Sequence, residues 1–308
     1  SEWVEIPYIR WFSTPVKRGD AVVFNFPAGD TVINLPDYQS KVPYYDVCRS
    51  LGNRNIDAGR KIVLADPDNY PLAVHPADKS DNYIKRCVGV SGDLLEVRHG
   101  DVYIDGVKQP LPPQSELFYI VTTRISPDME LLKSEYNVDI DKGELEITGL
   151  NTYRMLLTAE AKEKMEKSGF ATSITMDEGY AGGGGPVFPY DTLHRWSRDN
   201  FGPIRIPSKN MQIALNDSTY TVYERAIRVY EKNEFYVKDG KYFLNGQPVT
   251  NYTFKMDYYW MMGDNRHGSQ DSRYWGFVPE DRVVGKAWLI WFSWEGGPRW
   301  KRLFRTVK

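Results

Sequence analysis

Met261-Met262-Gly263-Asp264-Asn265-Arg266-His267-Gly268-Ser269-Gln270-Asp271-Ser272-Arg273-Tyr274-Trp275-Gly276-Phe277-Val278-Pro279 is the stretch on which the reading of this chain turns. Between Gly263 and Arg273 it holds two glycines, five ionisable side chains and two hydroxyls, set between apolar flanks. Charges held near a core need partners. Arg266 and Arg273 can each grip Asp264 or Asp271 in a two-pronged fork. Taken alone, the stretch predicts a tight corner tied by ion pairs.

Two segments further upstream fit with it. Tyr83-Ile84-Lys85-Arg86-Cys87-Val88-Gly89-Val90-Ser91-Gly92-Asp93 reads as a strand running into a glycine turn, and Lys17-Arg18-Gly19-Asp20-Ala21-Val22-Val23-Phe24-Asn25-Phe26-Pro27 as a turn running into a strand. In this order the three resemble the RGD-x-V-V-F strand, the lysine box and the GDNR-x-x-S-x-DSR-x-x-G box of type I signal peptidases, bacterial membrane-bound serine proteases. Cys87 and Ser91 depart from the usual pattern, away from the chemistry. The resemblance covers about 16–27, 83–106 and 258–293.

The resemblance implies a Ser-Lys mechanism. Lys85 would be the general base, and Ser269 would hydrogen-bond and orient its amine. Asp271 and Arg273 would form an ion pair shaping the loop, with Gly263, Asp264, Asn265 and Arg266 closing the turn. A lysine ordinarily titrates near 10.4, so the site must desolvate it to free a neutral amine. The family's nucleophile is the serine of a Ser-Met-x-Pro box, whose own N–H and a preceding hydroxyl form the oxyanion hole. No serine of this sequence is followed by methionine, and Ser13-Thr14-Pro15 has the wrong spacing. The expectation is therefore a fragment of a signal-peptide-removing endopeptidase, inactive alone, with Ser1 an expression remnant. Its expected partners are the signal peptides of exported pre-proteins, added as an extra strand, and a membrane reached through an anchor missing from the fragment. The expected location is the extracytoplasmic, periplasmic side of a bacterial inner membrane.

The composition agrees with this. A net charge of −2 over 308 residues gives no electrostatic case for nucleic acid. No apolar run approaches the roughly 20 residues of a membrane span. Cys48 and Cys87 are too few for a disulfide framework and are expected free and buried. His75, His99, His194 and His267 are scattered, with no metal-ligand spacing and no local support for a Ser-His-Asp triad. No cofactor or metal is expected.

The expected fold is mainly β. A signal-peptidase-like catalytic lobe is built from 1–93 and 256–308, and 94–255 forms an inserted second α+β lobe. Strands are expected at Ala21 to Phe26, Lys61 to Ala65, Leu94 to Val97, Val102 to Ile104, Tyr236 to Leu244 and Val283 to Phe292, the last buried from Ala287. Asp105-Gly106, Asp239-Gly240 and Asn245-Gly246 predict hairpin turns. The segments 97–106 and 237–246 form a weak repeat. Helices are expected only between about Leu111 and Glu234: Thr158 to Lys167, and Asp217 to Glu231 with Tyr220, Tyr223, Ile227 and Tyr230 inward and Arg225 and Arg228 away from that face. Gly182 to Gly185 reads as a mobile surface loop, and Asn34 to Ser50 as an ordered excursion.

Two rivals stand beside this reading. A self-cleaving repressor-type protease would need an internal nucleophilic serine and a DNA-binding helix pair, neither of which is visible. A degenerate, non-catalytic peptide-binding relative would leave Lys85 and Ser269 without a shared purpose.

Overall fold

The computed structural model describes residues 14–38, 42–76, 80–180, 183–290 and 305–306, so Ser1, Ser13 and Gly182 lie outside the described residues. A five-stranded antiparallel sheet brings the three motifs together, in the order Val278–Pro279, Tyr258–Met262, Asn82–Gly89, Ala21–Asn25, Val283–Lys286. Its register sets Val22 opposite Lys85, and Arg86 opposite Met262. Segments far apart in the chain thus become neighbouring strands. The fold is predominantly β.

Alternation along Ala21–Asn25 sends Val22 and Phe24 into a core shared with Cys87, Met261, Val278 and Val283. Tyr44, Tyr45, Cys48 and Val63 close that core from two helices, Tyr44–Leu51 and Ile56–Ala65. These helices correct the strand expected at Lys61 to Ala65 and the confinement of helices to the middle of the chain. Asn55 supplies the start, its side chain accepting from the N–H groups of Asp57 and Ala58. Gly59 supplies the packing, since a Cβ there would lie 1.6 Å from the Cys48 carbonyl oxygen. Both cysteines are free and buried.

A second core lies on the other face of the sheet, where Trp260 and Met262 pack with Leu95, Val97, Ile104, Phe201, Tyr223, Ile227 and Phe254. It draws on residues from both sides of the expected lobe boundaries. A third is separate. The sheet Ala171–Met176, Glu116–Thr123, Thr152–Thr158, Leu145–Gly149 carries the helices Met129–Tyr136 and Ala159–Ser168. Glu116–Thr123 alternates strictly, burying Leu117, Tyr119 and Val121 against Leu132, Tyr153, Met155 and Met165.

Thr158 caps its helix by accepting from Ala161, and Gly169 ends it in the left-handed region. The two repeat segments are both hairpins with positive φ at their Asp-Gly and Asn-Gly turns. Asp217–Arg225 is α-helical, but the next turn, Ala226–Tyr230, is a π-helix. Arg225, the last residue of the α-helical part, is buried rather than turned away. Its guanidinium stacks 3.7 Å from the Tyr45 ring centroid and donates to the Pro27 carbonyl at 2.6 Å. At the end of the chain, Trp288 is 73% exposed, which corrects the buried run from Ala287. Leu289–Ile290 pairs with Arg305–Thr306, and 291–292 lie outside the described residues. Gly183 and Gly185 are tied by hydrogen bonds to the Tyr180 and Trp196 carbonyls.

Because the Gly59 contact is backbone to backbone, Gly59→Ala must part the two helices. Overpacked cores commonly lose about 1–3 kcal/mol, and a loss at or above that range is expected by chemical denaturation. An unchanged midpoint would show that the helix pair can shift at no cost.

Candidate active site

Lys85 lies on the middle strand of the five-stranded sheet, on the face opposite Arg86. Its Nζ is 2.8 Å from the Ser269 hydroxyl oxygen and 5.7 Å from the Tyr83 ring centroid. Burial pushes the Lys85 ammonium below the usual lysine range. The Asp271 carboxylate opposes that shift and the Arg273 guanidinium adds to it.

Ser269 is almost buried, and its position depends on a missing side chain. A Cβ on Gly263 would sit 2.2 Å from the Ser269 Oγ, so only glycine admits the contact. The loop between them is locked by charge. Asp271 is fully buried and accepts from Arg273 Nε at 2.9 Å and Nη2 at 2.8 Å, and from the Gly263 N–H at 3.1 Å. It also caps the short helix Ser272–Trp275. Arg273 is equally buried; its Nη2 also donates to the Arg266 carbonyl, and its Nη1 to the Arg198 carbonyl at 3.3 Å. Burial works against the Arg273 charge, but Asp271 outweighs it and raises the guanidinium's pKa. The Ser272 hydroxyl accepts from the Met261 N–H at 2.9 Å, stitching the helix to the strand.

The remaining motif residues form the outer part of the turn. Asp264 is gripped by Arg86, through Nε at 2.8 Å and Nη2 at 2.7 Å. The Asn265 side chain accepts from the Gly268 N–H at 2.7 Å. Arg266 corrects the expectation drawn from the sequence, because it grips neither aspartate. Its Nη1 reaches the Met262 sulfur at 3.4 Å, and its Nε has no partner among the described residues. Burial first, and Arg273 second, push its pKa down to about 10.

His267 was not assigned any part from the sequence, yet it anchors the loop. Its Nδ1 accepts from the Phe118 N–H at 3.0 Å, so Nε2 carries the proton and donates to Asp199 at 2.8 Å. Burial pushes this imidazole below its usual range, against the pull of Asp199. Both partners come from residues 111–234, so no local pattern could have announced them. Beside Lys85 a cavity of about 360 Å³ opens, lined by Phe26, Pro43, Tyr83, Gln270, Tyr274 and Trp275. No metal-binding cluster occurs among the described residues.

A family model described as "Signal peptidase, peptidase S26" matches residues 3–151 and 202–294, most of the chain and all three motifs. The chain belongs to the signal peptidase family. It is 36% identical over 99 residues to signal peptidase I of Haemophilus influenzae, covering 30% of this chain and 27% of that protein. The Buchnera aphidicola (Schizaphis graminum) signal peptidase I is 52% identical over 54 residues, 18% of this chain and 17% of its own. That of Aquifex aeolicus is 61% identical over 36 residues, 12% and 14%. The matched stretches thus span about a quarter or less of these relatives' length. No helix among the described residues is long and apolar enough to cross a membrane.

Two outcomes follow from the geometry. Breaking a buried ion pair from one side leaves an uncompensated charge, commonly costing about 3–5 kcal/mol. Arg273→Ala is expected to lose stability on that scale in urea or guanidinium unfolding, and an unchanged midpoint would show that the pair is not holding the loop. For Lys85, the folded pKa lies below the unfolded one. The unfolded chain therefore binds more protons between the two values, and this residue's contribution to stability rises with pH across that window. With 13C-methylated lysines followed by NMR, the Lys85 resonance is expected to titrate at lower pH than the surface lysines. Coincident titration would remove desolvation from the site.

Proposed function

We propose that this chain carries the general-base half of a serine endopeptidase that removes signal peptides from exported proteins. The observation that supports it most is the 2.8 Å contact between Lys85 and Ser269 in a setting that disfavours the ammonium form. Lys85 takes the proton from the attacking serine hydroxyl and later returns one to the leaving amine. Ser269 is the orienting hydroxyl. Pressed between Gly263 and the lysine, with 9% of its surface exposed, it has no room to meet a substrate carbonyl. The attacking hydroxyl is thus a different one, which the resemblance assigns to a Ser-Met-x-Pro box. Asp271 and Arg273 shape the loop and take no proton. Gly263, Asp264, Asn265 and Arg266 close it.

The sheet also offers a seat for substrate. Pairing between the lysine strand and Tyr258–Met262 runs only from Arg86 to Gly89. Residues 82–85 keep one edge unpaired among the described residues, beside the cavity at Tyr83 and Trp275. An extended signal-peptide segment adds to that edge by main-chain hydrogen bonds, its small side chains entering the cavity. Ile84 and Trp288, 54% and 73% exposed, fit work at a lipid surface on the extracytoplasmic side of a bacterial inner membrane.

The test extends the chain at its N-terminus with an apolar anchor and the Ser-Met-x-Pro segment of a relative, and assays cleavage of a pre-protein. Cleavage after a small residue is expected, with none from the 308-residue chain alone. Lys85→Ala should abolish turnover at unchanged melting temperature. Ser269→Ala should lower it by about 100-fold, within the range of acid–base contributions. Full activity of the Lys85→Ala enzyme would refute the general-base assignment.

A further inference from the structure

The His194 ring is packed 4.5 Å from the Trp196 ring, and its hydrogen bonds go to neither Lys85 nor Ser269. Its Nδ1 lies 2.8 Å from the Asp191 carboxylate, and its Nε2 lies 2.9 Å from the Ser218 hydroxyl oxygen. The sequence offered no local support for a Ser-His-Asp set. The fold assembles one from two segments, 191–194 and the start of the helix Asp217–Arg225.

Each member is held for its part. Asp191 is nearly buried and also accepts from the N–H groups of Leu193 and His194, at 3.0 and 2.7 Å. Burial favours its protonation, but bonds from His194 and Thr221 prevail and hold it down to about 2. A permanent carboxylate at Nδ1 fixes the tautomer that leaves Nε2 free to accept from the serine. Ser218 is exposed, so an acyl group can reach it. It is the second residue of its helix. Asn216 and Thr219 cap one another there, and the N–H groups of Asp217 and Ser218 donate to no other group among the described residues. Two free donors beside a serine are the elements of an oxyanion hole.

The same helix face leads into a cavity of about 330 Å³. Thr221 and Arg225, three and seven residues beyond Ser218, both line it. Arg225 is 95% buried (5% exposed) and its Nη2 serves Asp30 at 3.5 Å and the Pro27 carbonyl, yet its Nε and Nη1 have no hydrogen-bond partner among the described residues. The carboxylates of the cavity are already engaged: Asp191 as above, Asp57 by Arg60 and Tyr220, Asp217 by Tyr242, and Glu224 by Arg60 and Arg228. The free hydrogen-bonding capacity at the cavity floor is cationic.

We propose that Ser218, His194 and Asp191 form a second hydrolytic centre, specific for carboxylic esters whose acyl chain ends in an anionic group held by Arg225. Seven helical residues rise about 10 Å, which sets the length of acyl chain that spans serine and arginine. The Ser218 Oγ bonds to the acyl carbon while its proton passes to His194 Nε2, and the ester C–O bond breaks as that proton goes to the leaving oxygen. Water, deprotonated by His194, then releases the acid and restores the serine. No oxidant, metal or cofactor enters.

The experiment treats the 308-residue chain with a fluorophosphonate probe and maps the adduct by peptide mass spectrometry. Modification at Ser218 is expected, absent in Ser218→Ala, about 100-fold slower or more in His194→Gln, and undiminished in Lys85→Ala. Matched melting curves for the variants tie any loss to chemistry. The mono-4-nitrophenyl ester of suberic acid should be hydrolysed faster than neutral 4-nitrophenyl octanoate, and Arg225→Met should erase that preference. No adduct at Ser218, or one that forms equally fast in His194→Gln, would show the three residues to be a structural bridge and overturn the proposal. Equal rates on the two esters would overturn the anionic specificity.

Discussion

The buried pair between Asp271 and Arg273 is the constraint on which the loop beside Lys85 depends. Neither side chain reaches solvent, so each would be prohibitively costly alone, and together they leave the loop few alternatives. Asp271 holds the Gly263 N–H and caps the following helix. Arg273 gathers the carbonyls of Arg266 and Arg198. Ser269 lies between these anchors. Its hydroxyl is aimed at Lys85 because the ion pair fixes the two ends of the segment that carries it.

The pair also explains how the Lys85 pKa falls beside a carboxylate. Asp271 alone would stabilise the Lys85 ammonium, and Arg273 opposes it at short range. A carboxylate and guanidinium locked in two hydrogen bonds act at Lys85 more as a dipole than as an anion, and burial then decides the direction of the shift. Other charges are sequestered in the same way. Arg86 holds Asp264, and Arg18 holds Asp93 at 2.7 and 2.6 Å. Pairing keeps free carboxylates away from the amine.

The loop was legible in the sequence because it is written locally, while the pairing of Lys85 with Ser269, 184 residues away, was what the resemblance implied. Lys85 and Arg86 must face opposite ways on a strand, and Gly263, Ser269, Asp271 and Arg273 lie within one short loop. What escaped was written across the chain. Ile56–Ala65 carries an apolar end that looks like a strand, and only the Asn55 cap and the Gly59 contact with Cys48 make it a helix in a pair. The burial of Arg225 rests on the Tyr45 ring and the Pro27 carbonyl, neither visible in helical periodicity. Arg266 was expected to hold an aspartate, but Arg86, 180 residues earlier, reached Asp264 first. The histidines looked idle because their partners, Asp199 for His267 and Ser218 for His194, lie in segments that meet them only after folding.

The same non-local wiring bears on the stretch between the two matched parts of the family model, residues 152–201. That stretch supplies the Arg198 carbonyl under Arg273, the Phe188 N–H that donates to the Arg273 carbonyl at 2.7 Å, and the Asp199 carboxylate on His267. A guanidinium this deeply buried needs its donors satisfied, and here part of that need is met by residues outside the family pattern. The geometry of the loop is set jointly by residues inside the matched region and by a segment outside it, so residues 183–199 act as part of the scaffold of the Lys85 centre while also carrying Asp191 and His194.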